Sequence, residues 1–253
     1  MSHYEQDFRR SLGFTNQGKL KKYFKATDFI VINWKKIEEE NLRLKDICER
    51  INNAVSPDIR VNNIELIKNK VDESFKIMCD NDLFPSLNNQ GRNPDDVYYN
   101  WMRGYLICEM FIPAIAKLFG VPEERIEHIG KDDLTKLDTF SRSATADLEV
   151  LTNDNRRIRL EMQAGYTGVN DIKRSKILEA ITRKQADEVD TYVIHIDIFN
   201  GKTAVINVSS ADDSTLNYHK AFENTDVLTI NSDWFLWKLA DKLPLLEDII
   251  IYP

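Results

Sequence analysis

Two short segments with alternating apolar residues flank Asn153, Asp154 and Asn155 in the stretch from Ala146 to Gln163. Asn and Asp favour tight turns and tolerate the left-handed backbone that such turns use. A hairpin folded about Asp154 pairs position 147 with 161, 149 with 159 and 151 with 157. Because successive strand side chains point to opposite faces, this hairpin has one apolar and one polar face. The apolar face carries Leu148, Val150, Ile158, Leu160 and Met162, and the polar face carries Asp147, Glu149, Arg157, Arg159, Glu161 and Gln163.

Asp147 lies directly opposite Glu161 in this register, and like charges that face each other across a strand pair repel. A divalent cation between them converts the repulsion into ligation, because hard ions such as Mg²⁺ bind carboxylate oxygens and keep several waters. Water held by a metal is a better nucleophile, and the metal stabilises charge on a phosphate under attack. The pair therefore favours metal-dependent hydrolysis. The alternative is a solvated hairpin face, on which Arg159 pairs with Glu149 and Arg157 lies nearby.

Asp147, the thirteen residues that follow it, and then Glu161-Met162-Gln163 resemble the motif of the PD-(D/E)XK nuclease superfamily. In that superfamily an Asp on one strand and a Glu-x-Lys on the next hold the metal and position the attacking water. This chain departs from the motif twice, with Ala146 in place of the usual Pro and Gln163 in place of the usual Lys. Some restriction endonucleases, and the recombination-promoting nucleases related to transposases, carry Glu-x-Gln here. The resemblance implies that Asp147 and Glu161 bind Mg²⁺ and that Gln163 orients the water without adding a positive charge.

A largely buried helix is predicted from Tyr105 to Phe119, where Glu109 and Lys117 are the only charged residues. Burial of a lone carboxylate is costly unless a partner compensates it. In the superfamily the helix before the motif often supplies one more Glu beside the metal, and the resemblance implies this role for Glu109. The alternative is that Glu109 reaches solvent from the helix edge or pairs with Arg103.

Basic residues are concentrated on the hairpin and just after it. The segment from Arg156 to Lys184 holds eight basic residues against three acidic ones. A helix is predicted to start at Asp171, and Lys173, Arg174 and Lys176 lie near that start. Together with Arg142 in the loop before the hairpin, they are candidate phosphate contacts that would position double-stranded DNA without reading its sequence. A basic helix surface with no ligand is the alternative.

The predicted element order from residue 98 onward is helix, strand, hairpin, helix, strand, followed by additions. This order resembles the αβββαβ nuclease core and implies an α/β fold, with a mixed central sheet flanked by helices (a restriction-endonuclease-like core). Residues 98–253 are the expected catalytic core, and residues 1–97 an N-terminal, mostly helical region for DNA recognition or dimerisation. Further strands are predicted at 126–129, 191–199, 203–208, 226–231 and 249–251, and a helix at 232–243. On the 191–199 strand, the face with Val193, His195 and Asp197 is expected to be partly wet.

The bulk properties are those of a globular protein, with 253 residues, 42% of them apolar and 30% charged. A net charge of −7 argues against a protein that coats nucleic acid, although a local basic patch still permits a DNA enzyme. Three widely separated cysteines without metal spacing indicate a reducing compartment. The N-terminus lacks an apolar signal segment, and no run is long enough to cross a bilayer. We expect a cytoplasmic protein with no membrane partner.

These features together favour a Mg²⁺-dependent, sequence-specific double-stranded DNA endonuclease, most like a type II restriction enzyme. Cutting both strands of a short palindrome implies a homodimer, because the symmetry of the protein mirrors that of the site. Two alternatives stay open. One is a recombination-promoting, transposase-associated nuclease, and the other is a non-catalytic DNA-binding protein on a nuclease fold.

Overall fold

The computed structural model describes residues 3–14, 16–24, 31–87, 93–130, 146–221 and 224–253. The helices are α1 (His3–Leu12), α2 (Gln17–Phe24), α3 (Trp34–Ala54), α4 (Ile64–Asp80), α5 (Pro94–Phe119) and α6 (Arg174–Asp187). The strands are β1 (Ile126–His128), β2 (Leu148–Leu151), β3 (Arg157–Gly165), β4 (Asp171–Lys173), β5 (Asp190–Asp197), β6 (Lys202–Asn207), β7 (Tyr218–Lys220), β8 (Asp226–Thr229), β9 (Trp237–Lys238) and β10 (Ile250–Ile251). The predicted α/β class and the helical N-terminal region are confirmed. Among the described residues, none of the helices has the length and apolar character needed to span a bilayer.

The chain divides into two compact units, and three of the helices contribute to both. The first unit consists of Met1–Leu44 and Val71–Arg103, and the second of Lys45–Lys70 and Gly104–Pro253. In the first unit, aromatic rings pack edge-on around Phe84, with centroids 5.0 Å from Trp34 and 5.9 Å from Phe75. The division at residues 97 and 98 into a recognition region and a catalytic region stays a prediction.

The second unit is built on a mixed sheet with strand order β1-β2-β3-β5-β6-β10, to which β9 adds by pairing with β6. β1 and β2 are antiparallel, as are β2 and β3, whereas β3 and β5 are parallel and β5 and β6 are antiparallel. The connection from β3 to β5 passes through β4 and α6. A second sheet, of order β4-β8-β7, is antiparallel.

The hairpin of β2 and β3 has the predicted register, with Glu149 opposite Arg159 and Leu151 opposite Arg157. Its turn closes with a hydrogen bond of 2.9 Å from the Thr152 amide to the Arg156 carbonyl, and Asn155 takes a left-handed φ of 61°. The apolar face of the hairpin is buried, because Leu148, Val150 and Leu160 are fully enclosed. The two-residue strand period therefore separates an apolar face from a polar face, as predicted.

The helix α6 covers the polar-face side of the sheet over β5 and β6. Its residues Ile177 and Ala180 pack in one cluster with Val193, Ala204 and Ile206. The expectation of a wet face on β5 is wrong: Val193, His195 and Asp197 are all buried. β5 lies inside the sheet between β3 and β6, so a helix can cover this face.

Two predicted helices differ from the structure. The segment 171–173 forms β4, which pairs with β8, and α6 begins at Arg174. The helix predicted at 232–243 is absent: Ser232–Trp234 is a short 3₁₀ turn, and Trp237 enters β9 opposite Thr203. The Trp237 ring is buried against Phe111, with centroids 6.4 Å apart, so strand pairing and ring packing override the local helical pattern. The strands predicted at 126–129, 191–199, 203–208, 226–231 and 249–251 are confirmed, with ends that differ by one or two residues.

Candidate functional site

The start of β2 brings Asp147 against the middle of β3. The Asp147 amide donates to the Leu160 carbonyl at 3.0 Å, and the Met162 amide donates to Asp147 Oδ2 at 2.7 Å. These two hydrogen bonds hold Asp147 across from Glu161, which continues the register of the hairpin. The backbone bond from Met162 also fixes one carboxylate oxygen of Asp147 in direction.

Glu161 is a buried carboxyl, with 8% of the residue exposed. Burial, and then the negative charge of Asp147, raise its pKa to about 8, although the ammonium of Lys176 opposes this rise. Lys176 Nζ lies 2.7 Å from Glu161 Oε2. Asp147 can affect Glu161 in this way because it lies across from it and accepts from the amide of the next residue, Met162. Burial and the Asp147 charge therefore favour the protonated form of Glu161, whereas Lys176 or an added cation favours the carboxylate.

The predicted third motif residue, Gln163, lies on the same side of β3 as Glu161, and the parallel pairing places it beside His195 of β5. Gln163 Oε1 is 3.1 Å from His195 Nδ1, and Asn170 Oδ1 is 2.8 Å from His195 Nε2. Burial lowers the pKa of His195 to about 4, so the imidazole is neutral at physiological pH. The amide of Gln163 is thus held by a neutral aromatic ring rather than by an ion.

Glu109 lies on α5, where it contacts His128 and Lys70. Its Oε1 is 2.5 Å from His128 Nε2 and its Oε2 is 2.9 Å from Lys70 Nζ. Burial raises the pKa of the Glu109 carboxyl, but the hydrogen bonds from His128 and Lys70 outweigh it and leave the pKa below its usual value. His128 pairs directly with Leu148, and so it lies on the apolar face of the hairpin, opposite to Asp147 and Glu161.

This position separates Glu109 from the acidic pair. Among the residues that the structure describes, no three His, Cys, Asp or Glu side chains come together as a metal-binding group. Glu109 therefore does not form one three-carboxylate cluster with Asp147 and Glu161. The partners of Glu109 are a histidine and a lysine from other elements, which its apolar sequence neighbours did not indicate.

The four candidate DNA contacts have different surroundings. Lys176 contacts Glu161, and Arg174 pairs with Asp213 at 3.0 Å and stacks on the Tyr218 ring at 5.0 Å. Lys173 is exposed at the end of β4. Arg142 lies outside the described residues. A role of these residues in binding DNA stays a prediction.

The other half of the polar face matches the alternative of a solvated surface. Arg159 Nε and Arg157 Nε lie 3.5 Å and 3.6 Å from the two carboxylate oxygens of Glu149. Near the turn, the acidic charge is therefore balanced by arginines within the hairpin. Near Asp147 and Glu161, the nearest compensating cation that we identify is Lys176, which comes from α6.

The chemistry of the acidic pair fits a divalent cation such as Mg²⁺. The site offers two carboxylates of like charge, one of them buried, and Mg²⁺ takes oxygen ligands and retains several waters. Asp147 and Glu161 would supply the protein ligands, and water or a substrate phosphate would complete the shell.

The sequence did not identify Lys176 as the partner of Glu161, or His195 as the partner of Gln163. The contact of Lys176 with Glu161 depends on the start of α6, and the contact of His195 with Gln163 depends on the parallel pairing of β3 and β5. The available signals were a lysine in the first turn of the next helix and a histidine within a strongly apolar strand. Neither signal indicates a specific partner.

No protein-family model, curated protein or solved structure that we compared with this chain matches it. The function is therefore inferred from the residues of the site and from the topology that positions them.

Proposed function

We propose that this chain is a Mg²⁺-dependent DNA endonuclease whose active site is the polar face at Asp147 and Glu161. The observation that carries the proposal is the proximity of these two carboxyl groups on neighbouring strands, at a point where the Asp147 charge raises the pKa of buried Glu161. Two carboxyl groups held together in this way ionise together only when a cation compensates them. Such a site is suited to hydrolysis of a phosphodiester.

The topology supports the same proposal. From α5 onward the chain runs through β1, β2 and β3, then through the short β4 and α6 to β5. Apart from β4, this is the αβββαβ order of the PD-(D/E)XK nucleases, with an antiparallel meander followed by a parallel strand. A restriction-endonuclease-like core is therefore part of the proposal.

Each residue of the site has a separate task in this proposal. Asp147 and Glu161 would hold Mg²⁺, which supplies charge stabilisation for the phosphate and a more acidic bound water. The hydrogen bond from the Met162 amide keeps Asp147 oriented before substrate arrives. Gln163 would orient the attacking water through its amide. The site residues are thus arranged before the phosphate binds, which lowers the cost of reaching the transition state.

Lys176 supplies the positive charge that Gln163 cannot supply. Its ammonium lies 2.7 Å from Glu161 Oε2, although it comes from α6 rather than from β3. When the carboxylates are occupied by a cation, the Lys176 ammonium would remain beside them as a donor to a phosphate oxygen. Lysine binds phosphate as a compact point charge. In this proposal Lys176 therefore belongs to the catalytic site and is more than a general DNA contact.

The more specific form of the proposal is a type II restriction enzyme that acts as a homodimer on duplex DNA. A second candidate is a non-catalytic DNA-binding protein. One observation favours this alternative: Lys176 already provides a cation to Glu161, and so the acidic pair has a partial internal counter-charge. Cleavage separates the two candidates.

The test is cleavage of supercoiled plasmid and of linear DNA with Mg²⁺ or with EDTA. Asp147→Asn keeps the shape of the side chain and should lower the rate by at least ~100-fold, since metal-ion catalysis contributes several kcal/mol. Glu149→Gln is the matched control, because it also removes one carboxylate from the polar face but leaves the acidic pair intact. Its rate should equal that of the wild type.

The products distinguish the remaining forms of the proposal. Discrete bands support a restriction enzyme, whereas a smear supports a non-specific nuclease such as the recombination-promoting type. DNA binding with no cleavage at any Mg²⁺ concentration supports the non-catalytic alternative and refutes the endonuclease. Equal cleavage by the wild type and Asp147→Asn would refute the site.

A further inference from the structure

His195 is enclosed on every side that the structure describes. Only 3% of the residue is exposed. Its ring nitrogens face Gln163 Oε1 at 3.1 Å and Asn170 Oδ1 at 2.8 Å, and its ring lies nearly perpendicular to that of Phe235, with centroids 5.9 Å apart. A histidine in this position cannot rotate without breaking both polar contacts.

Gly165 provides the space for this arrangement. A methyl group added to Gly165 would lie 3.1 Å from His195 Nε2 and 3.2 Å from Asn170 Oδ1. Both distances are closer than ordinary van der Waals contact. The backbone at Gly165 therefore allows His195 and Asn170 to approach each other at the end of β3.

The protonation state of the ring restricts how the two amides can bind it. Burial keeps the ring neutral at physiological pH, although the carboxylates of Asp197 on β5 and Asp171 on β4 favour its charged form. A neutral imidazole has one N–H donor and one bare nitrogen that accepts. The two amide oxygens cannot both receive a hydrogen bond from it. One amide must therefore turn its NH₂ group toward the ring.

Both contacts, at 2.8 Å and 3.1 Å, have ordinary hydrogen-bond lengths, and so either amide can be the one that turns. In the tautomer with the ring proton on Nε2, His195 donates to the Asn170 oxygen and the Gln163 NH₂ group donates to Nδ1. In that tautomer, the Gln163 carbonyl oxygen is left on the polar face as a hydrogen-bond acceptor.

We propose that His195 is a positioning residue, which connects Asn170 to Gln163 and turns the Gln163 carbonyl oxygen toward the site at Glu161. This inference rests on the proposed function, because it gives the oxygen the task of accepting an O–H from the attacking water. Water bound in this way directs its lone pair at the phosphate. The task differs from that of a lysine at the same motif position, because lysine can only donate.

The first test is independent of catalysis. ¹⁵N NMR of the full-length protein at pH 7 should show His195 as the neutral tautomer with its proton on Nε2. The side-chain NH₂ of Gln163 should be protected from exchange with solvent. A proton on Nδ1, or a charged ring, overturns the inference.

The second test asks whether His195 acts through Gln163. His195→Phe and Gln163→Ala should each lower kcat about tenfold, the effect of losing one ordinary hydrogen bond, with KM for DNA unchanged. The double variant should be no slower than Gln163→Ala alone. Asn170→Ala retains the ring and replaces His195→Phe if that variant does not fold, and its effect should also vanish in the Gln163→Ala background.

Two results overturn different claims. Additive losses in the double variants mean that His195 and Asn170 act independently of Gln163, and they overturn the inference while the endonuclease stands. A wild-type protein that does not cleave DNA overturns the proposed function and the positioning role with it, whatever tautomer is observed.

Discussion

Replacing Glu161 with glutamine should remove a pH dependence of stability that this carboxyl imposes on the metal-free protein. Burial, and then the charge of Asp147, raise the Glu161 pKa from 4.5 to about 8. A group with a higher pKa in the folded state binds its proton more tightly after folding. Its contribution to stability is therefore fully present below pH 4.5 and is lost as the pH rises through 8.

The size of the effect follows from the same pKa. One unit of pKa difference corresponds to about 1.4 kcal/mol, and so the wild type should lose about 2–3 kcal/mol between pH 6 and pH 9 through Glu161. Glutamine cannot ionise and loses nothing at this position. For a chain of 253 residues, the difference corresponds to roughly 5–10 °C in Tm.

The assay is urea unfolding at pH 6, 7, 8 and 9 in EDTA, with the wild type, Glu161→Gln and Glu149→Gln. Each of the two variants replaces one carboxyl group on the same face of the hairpin with an amide. Glu149 differs because Arg159 and Arg157 lie within 3.6 Å of its carboxylate. We expect the free energy of unfolding of Glu149→Gln to follow the wild-type pH dependence. For Glu161→Gln, the loss of unfolding free energy between pH 6 and pH 9 should be smaller by about 2–3 kcal/mol.

Parallel curves for all three proteins would refute the burial of Glu161 beside Asp147. If Glu149→Gln also flattens the curve, the effect is one of net charge and not of the site.

Mg²⁺ then tests the metal separately, because a ligand of the folded state stabilises it by mass action. Mg²⁺ should restore the stability of the wild type at pH 9 and leave Glu161→Gln unchanged. A wild type with the predicted pH dependence but no response to Mg²⁺ has the predicted geometry without a metal site.

Two further substitutions test the core and the ion pair. Leu148→Ala should lower the free energy of unfolding in urea by about 2–5 kcal/mol, because Leu148 is fully buried. Leu151→Ala, on the same strand, should lower it by less than about 1 kcal/mol. Equal losses would contradict the assignment of the hairpin faces. Lys176→Met should raise the Glu161 pKa further, because it removes the ammonium 2.7 Å away, and should shift the pH-dependent loss of stability upward by about one unit. Lys184→Met, on the same helix, should leave the pH at which this stability is lost unchanged. If Lys176→Met also leaves it unchanged, the result contradicts the ion pair between Lys176 and Glu161.

The hairpin could be predicted in detail because its information is local. The turn residues, including Asn155, mark the reversal, and the strand period then determines which residues face each other. A slip of one residue would have exposed the apolar face, and so a single register was consistent with Leu148 and Leu160 inside. The positions of Asp147 and Glu161 follow from that register.

The remaining contacts depend on packing between distant segments. Trp237 lies in a sequence with a helical pattern, but pairing of β9 with β6 and burial against Phe111 decide its structure. Glu109 was placed beside the metal by resemblance, and the structure places it with His128 on the opposite face of the hairpin. Neither outcome can be obtained from local propensity, since tertiary contacts override it.

What distinguishes a site from a solvated surface on this hairpin is the distribution of counter-charge along one face. At the turn end, Glu149 has two arginines from the neighbouring strand, and the sequence alone accounts for that balance. At the other end, two carboxylates face a lysine that arrives from α6, and the Glu161 pKa remains high in spite of that lysine. A surface selected only for solubility has no reason to bury an incompletely compensated carboxyl, because burial of charge is costly. Two neighbouring carboxyl groups that cannot both ionise without added positive charge therefore favour a cation-binding function over a purely structural one.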